Sequence, residues 1–241
     1  MSEVGVIHRS AHLLVLAKPA GLPTTARPGR DSLARRAAEL DPDAPRLHAT
    51  SRLDADVTGL VTFARTRRGN DALLAARDAG VYERRYLALA SGAPTPPEGA
   101  WTTPIGSHAK ERRLRAAGGA DARAAHTEYR TRARTAEAAL LLLAPRSGRT
   151  HQLRVHAAHA GVALLGDVAY GGARRVVRAT GEVLTARRVM LHCAALTLTE
   201  PSTGTIVHLS AAVPADLRAL YLAAGGAEAL LDLNAPVAVG R

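Results

Sequence analysis

Gly148-Arg149-Thr150-His151-Gln152-Leu153-Arg154-Val155-His156 crowds polar donors into the start of a short periodic segment. Thr150 can cap a helix that ends at Gly161, with Leu153, Ala157 and Ala160 facing a core. On that helix His151 and Arg154 are three apart and share a face. Arg149, His151, Gln152 and Arg154 around a helix N-terminus favour a bound anion, a phosphate or a carboxylate. His156 and His159 point away from that face. No acidic residue lies between them, so the zinc-protease spacing is absent and no metal site is expected.

Outward from this helix the pattern mixes strands and helices. Leu13 to Ala17, Leu60 to Ala64, Tyr86 to Ala90, Thr127 to Arg132 and Ala138 to Leu143 read as strands. Leu196 to Thr199 and Thr205 to Leu209 flank Pro-Ser-Thr-Gly, a hairpin signal. Asp31 and Ser32 can cap a helix whose Leu33, Ala37 and Leu40 share a face. Asn70 to Ala79 reads as a helix closed by Gly80. Pro214 opens a last helix carrying Leu217, Leu220 and Tyr221. Ser91 to Ala100 and Arg115 to Ala125 read as loops, the first rich in Pro and Gly, the second low in complexity. Strands beside hairpin turns, with helices interspersed, point to an α+β or mixed-sheet domain.

The 241 residues suffice to bury a sizeable core. There are 32 basic against 21 acidic side chains, a net charge of +11, which points to a polyanionic partner. Nearly all the cations are arginines, whose planar forks match phosphate and stack on bases. Cys193 is the only cysteine, which rules out an internal disulfide framework and fits a reducing cytoplasm. No window reaches the roughly 18 apolar residues of a membrane span, and no secretory leader is legible.

Two further segments carry chemistry. Ser51-Arg52-Leu53-Asp54-Ala55-Asp56-Val57-Thr58-Gly59-Leu60 sets an arginine and a carboxylate two apart, in a polar stretch running into an apolar strand. Opposite charge nearby keeps a carboxylate ionised, and an ionised carboxylate can attack a glycosidic carbon. Tyr82-Glu83-Arg84-Arg85-Tyr86 places a rare tyrosine after two arginines, a combination suited to base stacking beside phosphate contacts. The phosphate-binding loop, the dinucleotide-binding glycine pattern and the serine nucleophile elbow are all missing.

Together these segments resemble the RluA-type family of RNA pseudouridine synthases. The family signature around its aspartate reads His-Arg-Leu-Asp, two variable residues, then Thr-Ser-Gly-Leu. Here it is matched at Arg52, Leu53, Asp54, Gly59 and Leu60. The second signature is complete at Gly148 to His156 and continues into Gly166-Asp167 and Tyr170-Gly171-Gly172. Lys18-Pro19-Ala20-Gly21, Arg85 to Leu89, Thr127 to Arg130, and Leu191-His192-Cys193-Ala194 followed by Pro201 to Gly204 complete the series. The likeness runs from about residue 6 to 215.

The resemblance implies an α+β fold with a mixed, largely antiparallel sheet, flanking helices and a central catalytic cleft. It implies one catalytic domain over residues 1–241, with no separate N-terminal RNA-binding module. It implies isomerisation of uridine in ribosomal or transfer RNA without a cofactor; the lone cysteine points to the cytoplasm, and the lack of any sign of an exposed apolar seam points to a monomer. Asp54 would be the nucleophile. Tyr86 would stack on the uracil and help remove the carbon-5 proton, and Arg154 would pair with the aspartate. Arg52 would enter the RNA helix as the uridine flips out, with Arg149 and His151 as further RNA contacts. Ser51 departs from the family's histidine, Val57 from its threonine and Thr58 from its serine. A non-catalytic RNA-binding protein that keeps the fold is the competing expectation.

Overall fold

Leu13, Leu14, Val15 and Leu16 have no polar alternation and form most of the strand Leu13–Lys18. In the computed structural model, which describes residues 3–44 and 46–233, all four are fully buried. An unbroken apolar run suits a strand covered on both faces. It pairs antiparallel with Gly5–Arg9 and with Thr58–Ala64. His48–Ala49 also pairs with Thr58–Ala64. The strand order continues from Thr58–Ala64 to Leu191–Thr199. Leu191–Thr199 and Ile206–Ser210 make the antiparallel hairpin expected around Pro-Ser-Thr-Gly.

The fold class is α+β with a mixed, largely antiparallel sheet. The chain divides into two compact units. One comprises Met1–Arg84 and Cys193–Ala212, the other Arg85–His192 and Val213–Arg241.

In the first unit, Ser32 caps the helix Leu33–Leu40 by accepting from the Arg35 amide. Leu33 and Ala37 are buried, whereas Leu40, at the last turn, is 37% exposed. The helix ends there, and the buried neighbour is Asp41, which accepts two bonds from the Arg65 guanidinium at 2.6 and 3.0 Å. The second helix, Arg67–Asp78, starts three residues before the expected Asn70. Thr66 sets that start, its hydroxyl accepting from the Gly69 amide.

In the second unit the strands run in the order Glu83–Ala90, Ala139–Pro145, Thr127–Arg134, Glu98–Trp101, all antiparallel. The two segments read as loops prove to hold strands. Glu98–Trp101 lies partly in the first, and Arg115–Ala117 and Ala120–Arg123 lie in the second, pairing with Ile105–Ser107. The small residues are there because backbones approach closely. A Cβ on Gly106 would lie 2.3 Å from the Ala120 carbonyl oxygen. The unit also holds the antiparallel pair Arg175–Val177 and Val183–Thr185 and the helices Gln152–His159 and Ala215–Ala223, the last burying Leu217, Leu220 and Tyr221 as expected.

Gly59 is the second residue of the strand Thr58–Ala64, which follows the Asp54 loop. Its φ is +113°, and a Cβ there would sit 2.2 Å from the Cys193 carbonyl oxygen. Both the backbone conformation and the space exclude a side chain. Gly59→Ala should therefore cost about 3 kcal/mol or more, at the severe end for point substitutions. Gly29→Ala, at φ +80° with open space around it, should cost about 1 kcal/mol. Urea denaturation of the two variants measures the difference.

Candidate active site

Arg52 and Asp54 belong to the first unit, and Tyr86, Arg149, His151 and Arg154 to the second. The loop that carries Asp54 is held by its neighbours' side chains. Leu53 is gripped at both backbone groups by one hydroxyl. Thr24 Oγ1 accepts from the Leu53 amide at 3.0 Å and donates to the Leu53 carbonyl at 2.9 Å. Beyond Asp54, the Lys18 ammonium donates to the Ala55 carbonyl at 2.8 Å. It also donates to the carbonyls of Pro19 and Leu22 at 2.9 and 2.7 Å. The Val57 amide closes a turn onto the Asp54 carbonyl at 3.1 Å. The result is a half-buried carboxylate on a fixed backbone, with Arg52 exposed beside it.

Ser51, at the position of the family's histidine, is buried and has a local task. Its hydroxyl accepts from the Thr62 amide at 3.0 Å. Thr62 in turn shares a 3.0 Å bond with the Tyr82 hydroxyl. Arg77 lies over the Tyr82 ring and donates to the Thr50 carbonyl. Tyr82 therefore braces the near end of the segment that leads to Tyr86. Tyr86 itself is 3% exposed and stands opposite Leu143 in the sheet.

In the second unit the helix begins differently from expectation. His151, not Thr150, is the N-cap, and it makes no side-chain cap bond. Its φ is +58°, the left-handed region that non-glycine residues rarely enter. The surroundings hold it there. His151 Nδ1 and the Tyr170 hydroxyl share a 2.7 Å bond, and that hydroxyl also accepts from the Arg115 amide at 2.9 Å. Arg154 lies over the same Tyr170 ring at 4.9 Å. His151 and Arg154 thus do share a face, and Tyr170 is what they share. Arg154 also forks onto the buried Asp167 through two bonds of 2.8 and 2.6 Å. Leu153 and Ala157 are buried as expected, whereas Ala160 is exposed because the helix has already ended at His159. Arg149 is exposed, and its Nε donates to the Ala124 carbonyl at 2.9 Å.

Gln152, expected among anion-binding donors, is instead a buried junction. Its carbonyl oxygen accepts from the Ser147 hydroxyl and the Arg149 amide, at 2.8 and 3.0 Å. Its amide donates to the His126 carbonyl and to Thr127 Oγ1, at 2.9 and 3.0 Å. Thr127 then lies 2.9 Å from His156 Nδ1, while His156 Nε2 lies 2.9 Å from the Thr103 carbonyl. A carbonyl can only accept, so Nε2 carries the hydrogen and Nδ1 accepts from Thr127. Among the described residues no group of three His, Cys, Asp or Glu is arranged to hold a metal ion.

The roles of Lys18, Thr24, Thr127 and Tyr170 were not assigned from sequence. Lys18 left a trace, since only it and Lys110 are lysines in a chain that otherwise uses arginine. A compact ammonium can meet three converging carbonyls that a planar guanidinium cannot.

Residues 12–159 match the family model described as RNA pseudouridylate synthase. Ribosomal large subunit pseudouridine synthase D of Xanthomonas campestris is 35% identical over 232 residues, covering 91% of this chain and 69% of that protein. The protein of the same name from Pseudomonas aeruginosa is 33% identical, covering 89% and 69%. That from Nitrosomonas europaea is 32% identical, covering 90% and 64%, so the chain spans about two thirds of these relatives' length. The solved structure of human RNA pseudouridylate synthase domain containing 4 superposes with a TM-score of 0.71 over 90% of this chain and 92% of that one. At 22% identity this likeness speaks for the fold. The protein class is thereby defined as an RNA-modifying isomerase that converts uridine to pseudouridine. The chain belongs to the RluA-type family of RNA pseudouridine synthases.

Burial holds the pKa of His156 below its ordinary value. The folded state thus resists a proton that the unfolded chain accepts below about pH 6.5, so stability falls as pH drops through that value. Thermal melts should show a lower Tm at pH 5.5 than at pH 7.5, by an amount that shrinks in His156→Gln. Thr127→Val strips a partner from both Gln152 and His156, and should cost about 1–3 kcal/mol at pH 7.5 by urea denaturation.

Proposed function

We propose that this chain isomerises uridine in large-subunit ribosomal RNA, with Asp54 as nucleophile and Tyr86 and Arg154 as the other catalytic residues. Arg52, Arg149 and His151 are assigned to RNA contacts. The observation that carries the choice of nucleophile is the grip on the backbone either side of Asp54. Thr24 holds both backbone groups of Leu53 and Lys18 holds the Ala55 carbonyl, so a rigid loop presents the half-buried Asp54. A preset carboxylate loses little entropy on reaching an attack geometry.

The substrate class rests on relatives named ribosomal large subunit pseudouridine synthase D, which align with about nine tenths of this chain. The net charge of +11 supports a polyanionic partner. The target uridine leaves its stack at a cost of a few kcal/mol, which arginine contacts to phosphate offset. Asp54 then helps break the glycosidic bond. The freed uracil turns and rejoins the sugar through carbon 5, with Tyr86 assigned to removal of the carbon-5 proton. Residues 1–241 act as one catalytic domain and as a monomer in the cytoplasm, where the buried thiol of Cys193 stays reduced. No described helix is long and apolar enough to cross a membrane.

The test is a pseudouridine map of total RNA from source cells lacking the gene, complemented with wild type or Asp54→Ala. A large-subunit ribosomal site should vanish on deletion and return only with wild type. Loss of a transfer RNA site instead would move the substrate to transfer RNA. Restoration by Asp54→Ala would remove Asp54 from the chemistry, and an unchanged map would favour an RNA-binding protein that keeps the fold.

A further inference from the structure

We infer that Thr24 is a positioning residue for the reaction, setting the direction of the Asp54 carboxylate through the backbone of Leu53. The inference rests on the assignment of Asp54 as nucleophile and adds a residue outside the matched motifs.

Thr24 is 3% exposed. Its hydroxyl accepts from the Leu53 amide and donates to the Leu53 carbonyl. A hydroxyl has one hydrogen and two lone pairs, so one group can serve both. The two bonds fix different peptide planes. The Leu53 amide belongs to the plane shared with Arg52, and the Leu53 carbonyl to the plane shared with Asp54. With Lys18 holding the Ala55 carbonyl and Val57 holding that of Asp54, the Asp54 backbone is tied on both sides.

Thr24 is itself anchored. The Ala34 amide donates to the Thr24 carbonyl at 3.0 Å, and the Leu33 amide to the Pro23 carbonyl at 2.9 Å. These are N-terminal amides of the helix Leu33–Leu40, which lack partners within their own helix. The helix thus positions Thr24, Thr24 positions Leu53, and Leu53 orients Asp54. Valine has nearly the same shape but neither donates nor accepts, whereas serine keeps the hydroxyl.

Thr24→Val, Thr24→Ser and Asp54→Asn are compared with wild type on total RNA from the deletion strain. Pseudouridine formation is followed in single turnover with enzyme in excess. The rate at saturating enzyme reads the chemical step, and the enzyme concentration at half-saturation reads binding. Thr24→Val should slow the saturating rate by tenfold or more, since a misplacement of about 1 Å can cost about 100-fold. Its half-saturation point should stay within about twofold of wild type, and Thr24→Ser should recover most of the rate. Each rate is taken at a temperature below the variant's own Tm. If Thr24→Val fails to fold, Thr24→Ser decides together with Thr24→Ala, which must then be slow where serine is fast. A Thr24→Val rate within twofold of wild type overturns the inference. So does equal impairment of valine and serine variants, or a defect confined to half-saturation. An active Asp54→Asn variant, by contrast, sinks the assignment of the nucleophile itself.

Discussion

A buried ammonium organises the loop that presents Asp54. Lys18 is 2% exposed, and three main-chain carbonyls converge on its Nζ. A charge taken out of water is costly unless it is hydrogen-bonded, so these carbonyls are bound to Lys18 as firmly as it is bound to them. Two of them, of Pro19 and Leu22, belong to the turn after the first buried strand. The third, of Ala55, belongs to the loop that presents Asp54. One side chain therefore ties two stretches that are distant in sequence. Thr24 lies just past the same turn and holds the residue before Asp54, so the loop is held from both sides by one short segment.

The second unit reaches rigidity by a different route. The helix of its signature segment is capped by a residue at positive φ, His151, and the cost of such backbone is borne by surrounding contacts. Tyr170 supplies the contacts to His151 and Arg154, and Asp167 supplies the fork that aligns the Arg154 guanidinium. Beneath them Gln152, Thr127 and His156 form a chain of bonds in which every donor meets an acceptor. Such a network is stable only when complete, because a single missing member leaves several buried groups unsatisfied. The polar residues of the signature thus split into those that stay solvent-accessible, such as Arg149, and those that build the platform beneath.

Much of this was legible in the sequence, and the misses have definite causes. The Leu13 strand, the hairpin around Pro201 to Gly204 and the last helix follow from patterns that burial enforces. The strands at Arg115–Ala117 and Ala120–Arg123 were missed because close backbone approach selects glycine and alanine, which erases the alternation that marks a strand. Thr150 is a better capping residue than histidine by propensity, but the contacts of His151 with Tyr170 override propensity. Gln152 was misread because a buried amide and an anion-binding amide look alike in sequence, and only burial separates them. The proposal of Asp54 as nucleophile comes from its motif, whereas the grip of Thr24 on Leu53 depends on contacts 29 residues apart and leaves no sequence signal.

The claim that Asp54 drives an isomerisation has a direct chemical readout. Forming pseudouridine replaces the carbon-5 hydrogen of the uracil with the bond to the sugar. Source-cell RNA from the deletion strain, labelled with tritium at uracil carbon 5, should release tritium to water in proportion to pseudouridine formed, with no free uracil. Asp54→Asn should release none while still binding the RNA. Tritium release by Asp54→Asn at the wild-type rate, or release of free uracil by the wild type, would contradict the account.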